Sequence, residues 1–159
     1  MQGIILLFAL TLVPQIGPAK PPAVGAILMA TDKSHDPDLE QSVVVLIHSD
    51  RDGAMGVILN RPRGKSMYFG GPIALGVRAL FRSRTQPPEG ERILDNVYMV
   101  SKESSIPKGA MARVYAGYVG WSAQQLTDEI SRGLWKVVTG NAAMLFDPHP
   151  ETLWRRVGR

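Results

Sequence analysis

The chain predicts an α+β fold. Most of its apolar segments are short runs rich in Val, Ile and aromatic residues, bounded by Gly, Pro, Asp and Asn. Helical periodicity is confined to short stretches near the carboxyl end. Strands and helices do not alternate as regular βαβ units, which argues against a Rossmann-like sheet.

In chain order, residues 24–30 read as a first strand. Asp36-Pro37 opens a turn, because the residue before proline is pushed out of the helical region. Residues 38–41 make one helical turn. The run SVVVLIH, 42–48, is β-branched and apolar on both faces, as a strand covered on both sides must be. Asp52-Gly53 between two apolar runs is hairpin chemistry, with residues 54–59 as the return strand and Pro62 as its stop. Residues 64–72 read as a loop, in which Gly70 and Gly71 free the backbone and Pro72 locks it. Residues 77–83 form a strand with Arg78, Arg82 and Arg84 on one face, followed by a turn at 86–90 and a strand at 92–100. Residues 111–119 form another strand, with Ala112, Val114 and Ala116 on one side and Arg113 and Tyr115 on the other. Ser122 with Gln125 is a capping box that starts a helix. Leu126, Ile130 and Leu134 give that helix its buried stripe, and Gly133 ends it. Residues 135–138 return as a strand. Residues 148–157 form a terminal helix with Leu153 and Trp154 inward, and Arg155 and Arg156 suit its last turn.

With 159 residues the chain is of one-domain size and buries a core without staples. It has no cysteine, which excludes disulfides, thiolate metal sites and a thiol nucleophile. Its net charge is +4, unevenly placed. Residues 32–52 hold six acids and two bases; residues 53–88 hold six bases, Arg61, Arg63, Lys65, Arg78, Arg82 and Arg84, and no acid. On one reading the blocks adjoin in the fold and neutralise each other. On the other, the basic block is a face for an anionic partner. It shows little aromatic interleaving in sequence and no nucleic-acid-binding motif, which counts against nucleic acid.

At the amino end, residues 4–13, IILLFALTLV, are uncharged and mostly apolar; Pro14 breaks the run, and Gly17-Pro18-Ala19 is a small-x-small site before Lys20. That is the layout of a secretory signal peptide, too short to span a bilayer. The n-region lacks Lys and Arg. The alternatives are an apolar first element of the core or a misplaced start. The expectation is a signal peptide at 1–19 and one domain at 20–159, periplasmic or secreted and with no membrane span; a cytoplasmic location is the alternative.

No catalytic residue is assigned. His35, His48 and His149 match no metal-ligand spacing, and neither metal nor cofactor is expected. His48 suits the polar end of a buried strand. Gly120-Trp121-Ser122-Ala123-Gln124 fails as a nucleophile elbow at its last position, and no P-loop or G-x-G-x-x-G is present. The candidate ligand-binding residues are Asn60 and Arg61 at a strand end, Gly70 and Gly71 with open backbone N–H groups, and Tyr118 and Trp121 at a strand-to-helix junction. Such groups suit a small polar or anionic ligand. They equally suit a structural role, in which the glycines turn the chain, Trp121 fills the core and Arg61 pairs with an acid of the 32–52 block.

An ordered set of motifs resembles the YqgE/AlgH family of small bacterial proteins. It comprises Asp36-Pro37 with SVVVLIH, DGAMGVILNRP (52–62), FGGP (69–72), Y-x-G-Y-x-G-W (115–121) with Gln125-Leu126, and Leu145-Phe146-Asp147 before Trp154. The resemblance implies a mixed, bifurcated sheet rolled into a pseudo-barrel with a few helices outside, and no established activity. Some family members are called transcriptional regulators. The chain departs from the family's habit in its leader, in the short segment 101–110 where a helix is usual, and in Gln124 where glycine is frequent. The expectation is a non-catalytic module binding an unknown small ligand or protein, with oligomeric state open. The alternatives are a cytoplasmic regulator whose basic face contacts nucleic acid, and a hydrolase of unrecognised type.

Overall fold

The computed structural model describes residues 20–159; the segment read as a leader, 1–19, lies outside the described residues. The strands are β1 (Ile27–Ala30), β2 (Val43–Ser49), β3 (Ala54–Ile58), β4 (Pro62–Arg63), β5 (Met67–Phe69), β6 (Ile73–Arg82), β7 (Glu91–Leu94), β8 (Val97–Val100), β9 (Ala112–Trp121) and β10 (Trp135–Val138). The helices are α1 (Ala123–Ser131), α2 (Ala142–Leu145) and α3 (Leu153–Val157), with 3-10 turns at Glu103–Ser105 and Pro150–Thr152.

The strands form one curled sheet, a half-barrel, in the order β10-β1-β2-β3-β9-β6-β8-β7, with β4 and β5 beside this path. Every pairing is antiparallel except β5 on β9, so the sheet is mixed. Its bifurcation lies on β9. One edge of β9 carries β6; the other is shared, with β5 along Val114, Tyr115 and Ala116 and β3 along Val119, Gly120 and Trp121. Gly117 stands between the two stretches at φ +74, in the left-handed region that glycine enters freely.

Two apolar layers explain the unbroken apolar run of β2. Val43, Val45 and Ile47 face one core with Ile27, Val57, Leu80 and Tyr115, closed by Leu145, Phe146 and Leu153 from the C-terminal elements. Val44 and Leu46 face the other, where Leu126 of α1 packs with Leu28, Ile58, Val119, Trp121 and Trp135. Complete burial of a leucine such as Leu126 contributes about 1.5–3 kcal/mol. A third cluster joins Ala79, Phe81, Tyr98 and Val114 to Ile106.

Five sequence expectations change. Residues 64–72 are not simply a loop: β4 and β5 lie there, and β5 survives at three residues because β9 pairs with it. Pro62 begins β4 rather than only stopping β3. β6 starts at Ile73, runs through a register shift between Ile73 and Val77, and ends before Arg84. Residues 92–100 are a hairpin of two strands, reversed at Asp95-Asn96, with Asn96 at φ +60. The terminal helix is a 3-10 turn followed by α3, because Pro150 starts a tight turn. Sequence periodicity alone also passed over α2, a single turn capped by Asn141. Segment 101–110 holds only its 3-10 turn.

The helix start at Ser122 is as expected in one half. Its Oγ accepts from the Gln125 N–H at 3.1 Å, but the Gln125 side chain donates to Glu129 Oε1 instead of reaching back.

Candidate functional site

Asn60 and Arg61 follow β3 and bind the turn that precedes β2. Asn60 Oδ1 accepts from the Val43 N–H at 2.8 Å, and its Nδ2 donates to the Gln41 carbonyl at 2.8 Å. Gln41 sits at φ +53, a strained position for a residue with a side chain, and this bond helps to hold it there. Arg61 donates through Nη1 to the Asp38 carbonyl and through Nη2 to the Glu40 carbonyl, the latter at 2.9 Å. Arg61 therefore meets the acidic block through its backbone, not its carboxylates. Among the described residues no ion pair joins the 32–52 acids to the 53–88 bases, but the two blocks do adjoin where Arg61 lies on the backbone of Asp38 and Glu40.

Beside this staple lies a cleft of about 400 Å³, lined by Glu40, Asn60, Arg61, Glu151, Trp154 and Arg155 among others. The last three come from the C-terminal elements and carry no sequence signal that joins them to Asn60. Trp154 is fixed there by its indole N–H, which donates to the Ala30 carbonyl at 2.7 Å.

Gly70, Gly71 and Tyr118 meet at the division of the sheet. The Gly70 N–H donates to the Ala116 carbonyl and its carbonyl accepts from Ile58, both at the length of ordinary sheet bonds, 2.8 and 2.9 Å. That N–H is engaged, not open. A Cβ on Gly70 would overlap the Gly117 carbonyl, and one on Gly71 would overlap the Tyr118 backbone. The glycines allow β5 and the start of β6 to cross β9 at close range. Arg78 lies over the Tyr118 ring at 5.7 Å.

Trp121 is apart from the others, paired with Ala54 at the opposite end of β3 from Asn60. Its ring is buried against Trp135, edge to face at 5.7 Å, and both indole N–H groups donate to Glu129 Oε2, at 2.9 and 2.8 Å. Of the six candidates, Asn60 and Arg61 line a cleft, Gly70, Gly71 and Tyr118 form a backbone crossing, and Trp121 is in the core. Gln124 is turned to Asp128, donating at 2.8 Å.

Aromatic rings do interleave with the arginines, from the neighbouring strand β5 for Arg63 and from distant segments for Arg82 and Arg113. Arg63 lies over Phe69 at 4.6 Å, Arg82 over Phe146 at 6.0 Å, and Arg113 over Tyr68 at 5.1 Å. Arg113 also donates to the Leu145 and Asp147 carbonyls, tying β9 to the C-terminal elements. The Arg156 guanidinium, hydrogen-bonded to Asp147 at 2.7 Å, holds that carboxyl below its usual range, and the His149 N–H adds to the effect. Burial pushes the Tyr115 phenol above its ordinary value, and its hydroxyl makes no hydrogen bond of ordinary geometry, with the Arg113 guanidinium the charged group beside it. Among the described residues no group of three or more His, Asp or Glu is placed to hold a metal ion, and no helix is long and apolar enough to cross a membrane.

These features define a class: a small α+β protein built on a half-barrel sheet that divides at a glycine crossing, with clefts at its C-terminal elements. The family model described as DUF179, AlgH-like, matches residues 27–159. A UPF0301 protein of Streptomyces coelicolor is 33% identical over 163 residues, covering 85% of this chain and 84% of that protein. A UPF0301 protein of Thermobifida fusca is 33% identical, with 85% of each covered. The chain belongs to the AlgH-like, UPF0301 family, whose biochemical function is unknown. Among solved structures, protein DIP2367 of Corynebacterium diphtheriae superposes with a TM-score of 0.74 at 21% identity, covering 86% of this chain and 85% of that one, and shares the fold. The solution structure of the AlgH protein of Pseudomonas aeruginosa gives 0.69 at 25% identity, covering 85% and 87%.

Proposed function

We propose that this protein is a non-catalytic binding module whose cleft at Asn60 and Arg61 takes a small polar ligand carrying charges of both signs. The observation that carries this reading is the lining. Glu40 and Glu151 face a space shared with Arg61 and Arg155, and no acid–base pair forms across it among the described residues. Asn60 and Arg61 are fixed to the backbone of the 38–43 turn, so one wall is set before a ligand arrives. A preorganised wall lowers the ordering cost of binding. The volume is within the range of small-molecule sites.

A thermal-shift screen of zwitterionic and singly charged metabolites tests this. A zwitterion should raise the melting temperature of the wild type, and Glu151→Gln and Arg155→Gln should each abolish the shift. Stabilisation that persists in both variants would place the ligand elsewhere and defeat the reading.

We also propose export of the chain with residues 1–19 removed, on the pattern of the apolar segment 4–13. Terminal sequencing and fractionation of protein made in a bacterial host test it, and an intact Met1 in the cytoplasm would overturn it. The regulatory alternative retains one support: among the described residues the basic block forms no ion pair with the acids that precede it in sequence.

A further inference from the structure

A second cleft, about 440 Å³ in volume, opens where the end of β6 meets the β7–β8 turn. It is lined by Arg82, Ser83, Arg84 and Asn96, and by no acid. It shares no lining residue with the Asn60 cleft. We propose that it is a binding site for an oxyanion, the phosphate group of a small phosphorylated molecule.

Four observations converge on this chemistry. Arg82 and Arg84 are exposed, and among the described residues neither guanidinium forms an ion pair or hydrogen bond. Arg82 is steered by an aromatic ring instead: it lies 6.0 Å from the Phe146 centroid, which Arg113 approaches from the same distance. An arginine held this way keeps its N–H fork for a ligand, and that fork matches two phosphate oxygens.

Two carboxylates that neighbour the cleft residues in the chain are already engaged. Asp95, beside Asn96 in the turn, is paired with Arg92; Asp147, beside Phe146, is paired with Arg156. The charged groups that line the cleft are therefore positive alone, Arg82 and Arg84.

The frame is rigid. The Ser83 N–H donates to the Asn96 carbonyl at 3.0 Å, the Arg82 N–H to the Met111 carbonyl at 3.0 Å, and Ser83 Oγ to the Thr85 carbonyl at 2.7 Å. The Asn96 amide adds a neutral donor that can meet a third oxygen. The volume exceeds that of a phosphate ion, so room remains for the group that bears it. A discrete cleft closed by a hairpin turn fits a small ligand better than an extended polyanion, which contacts a long open stripe.

The test is amide-resolved NMR titration of the full chain with three probes: inorganic phosphate, ribose 5-phosphate and a DNA oligonucleotide. Both small probes should give saturable shifts at Ser83, Arg84 and Asn96, with ribose 5-phosphate the tighter. Arg82→Gln and Arg84→Gln should each weaken binding about tenfold or more, the scale of a lost charged hydrogen bond. Lys65→Gln, in the same basic block but outside the cleft, should leave it unchanged. The proposal is overturned by non-saturable shifts, by equal weakening in Lys65→Gln, or by oligonucleotide binding that spreads over Arg63, Lys65 and Arg78 and exceeds both small probes. The last outcome would mark a nucleic-acid surface.

Discussion

Removing the carboxylate of Glu129 should destabilise the protein more than any exposed position of α1 would suggest. One oxygen, Oε2, accepts from Trp121 Nε1 at 2.9 Å and Trp135 Nε1 at 2.8 Å, and the rings are only 6% and 4% exposed. In Glu129→Leu neither indole N–H keeps an acceptor. A buried donor without a partner costs about 1–3 kcal/mol, so two cost about 2–6 kcal/mol. The added leucine regains about 1 kcal/mol by covering part of the ring pair. A net loss of about 3 kcal/mol is expected, a melting temperature lower by about 6–12 °C for a chain of this size. Glu129→Gln keeps one carbonyl oxygen and loses charge assistance, costing about 1 kcal/mol. Urea denaturation followed by tryptophan fluorescence measures both variants, because two of the three tryptophans report on this contact. A Glu129→Leu protein within about 0.5 kcal/mol of wild type would show that solvent satisfies both indoles, and the reasoning would fail.

Gly117→Ala should unfold the protein or cost about 3 kcal/mol or more: the new Cβ would sit 2.5 Å from the Gly71 carbonyl oxygen, at a φ that adds about 1–2 kcal/mol of strain. Retention of wild-type stability in denaturant would show that the crossing can relax. Tyr115→Phe removes a buried hydroxyl that makes no hydrogen bond of ordinary geometry, and should be neutral or stabilising by about 1 kcal/mol; a loss of that size would reveal a partner. Stability should fall in acid through Asp147. Its carboxyl is held low in the folded state, so its contribution is complete above its ordinary value and disappears as the pH falls through the lowered one. Arg156→Ala should lower stability near neutrality and shrink the acid loss that belongs to Asp147 in denaturation curves recorded from pH 2 to 7, and an unchanged dependence on pH would remove Arg156 as the cause.

The fold was readable where one segment decided its own structure. The β-branched run of β2, the Asp52-Gly53 turn and the Ser122 cap each carry local chemistry, and each formed near its expected place. The misses share a physical cause. β5 exists because β9 offers an open edge, and three residues of Met-Tyr-Phe do not announce a parallel pairing partner more than forty residues away. The division of residues 92–100 depended on Asn96 accepting a left-handed conformation inside an apolar stretch, a turn that hydrophobic pattern alone conceals. The sites were harder. Glu151, Trp154 and Arg155 join Asn60 only through the packing of α3 on the sheet, and Phe146 reaches Arg82 only through the same docking. Side-chain clusters assembled from distant segments leave no periodic trace.

The motifs that mark the family are, in this structure, chiefly instructions to the backbone. Gly70, Gly71 and Gly117 permit a close crossing, Asn60 holds a strained turn, and Trp121 fills a core with its polar atom on Glu129. Each would be required whatever the protein binds. It follows that these residues are poor guides to the ligand, since their loss would remove the fold and the function together. The informative side chains are those the fold does not use. Glu151 and Arg155 at one cleft, and Arg82 and Arg84 at the other, are exposed charges whose ties among the described residues are confined to the Arg82 contact with the Phe146 ring and a 3.8 Å Glu151–His149 pair. Substitutions there should leave denaturation curves nearly unchanged, within the narrow range expected for surface positions. A change in binding without a change in stability at these four positions separates recognition from architecture, which no substitution in the motifs can do.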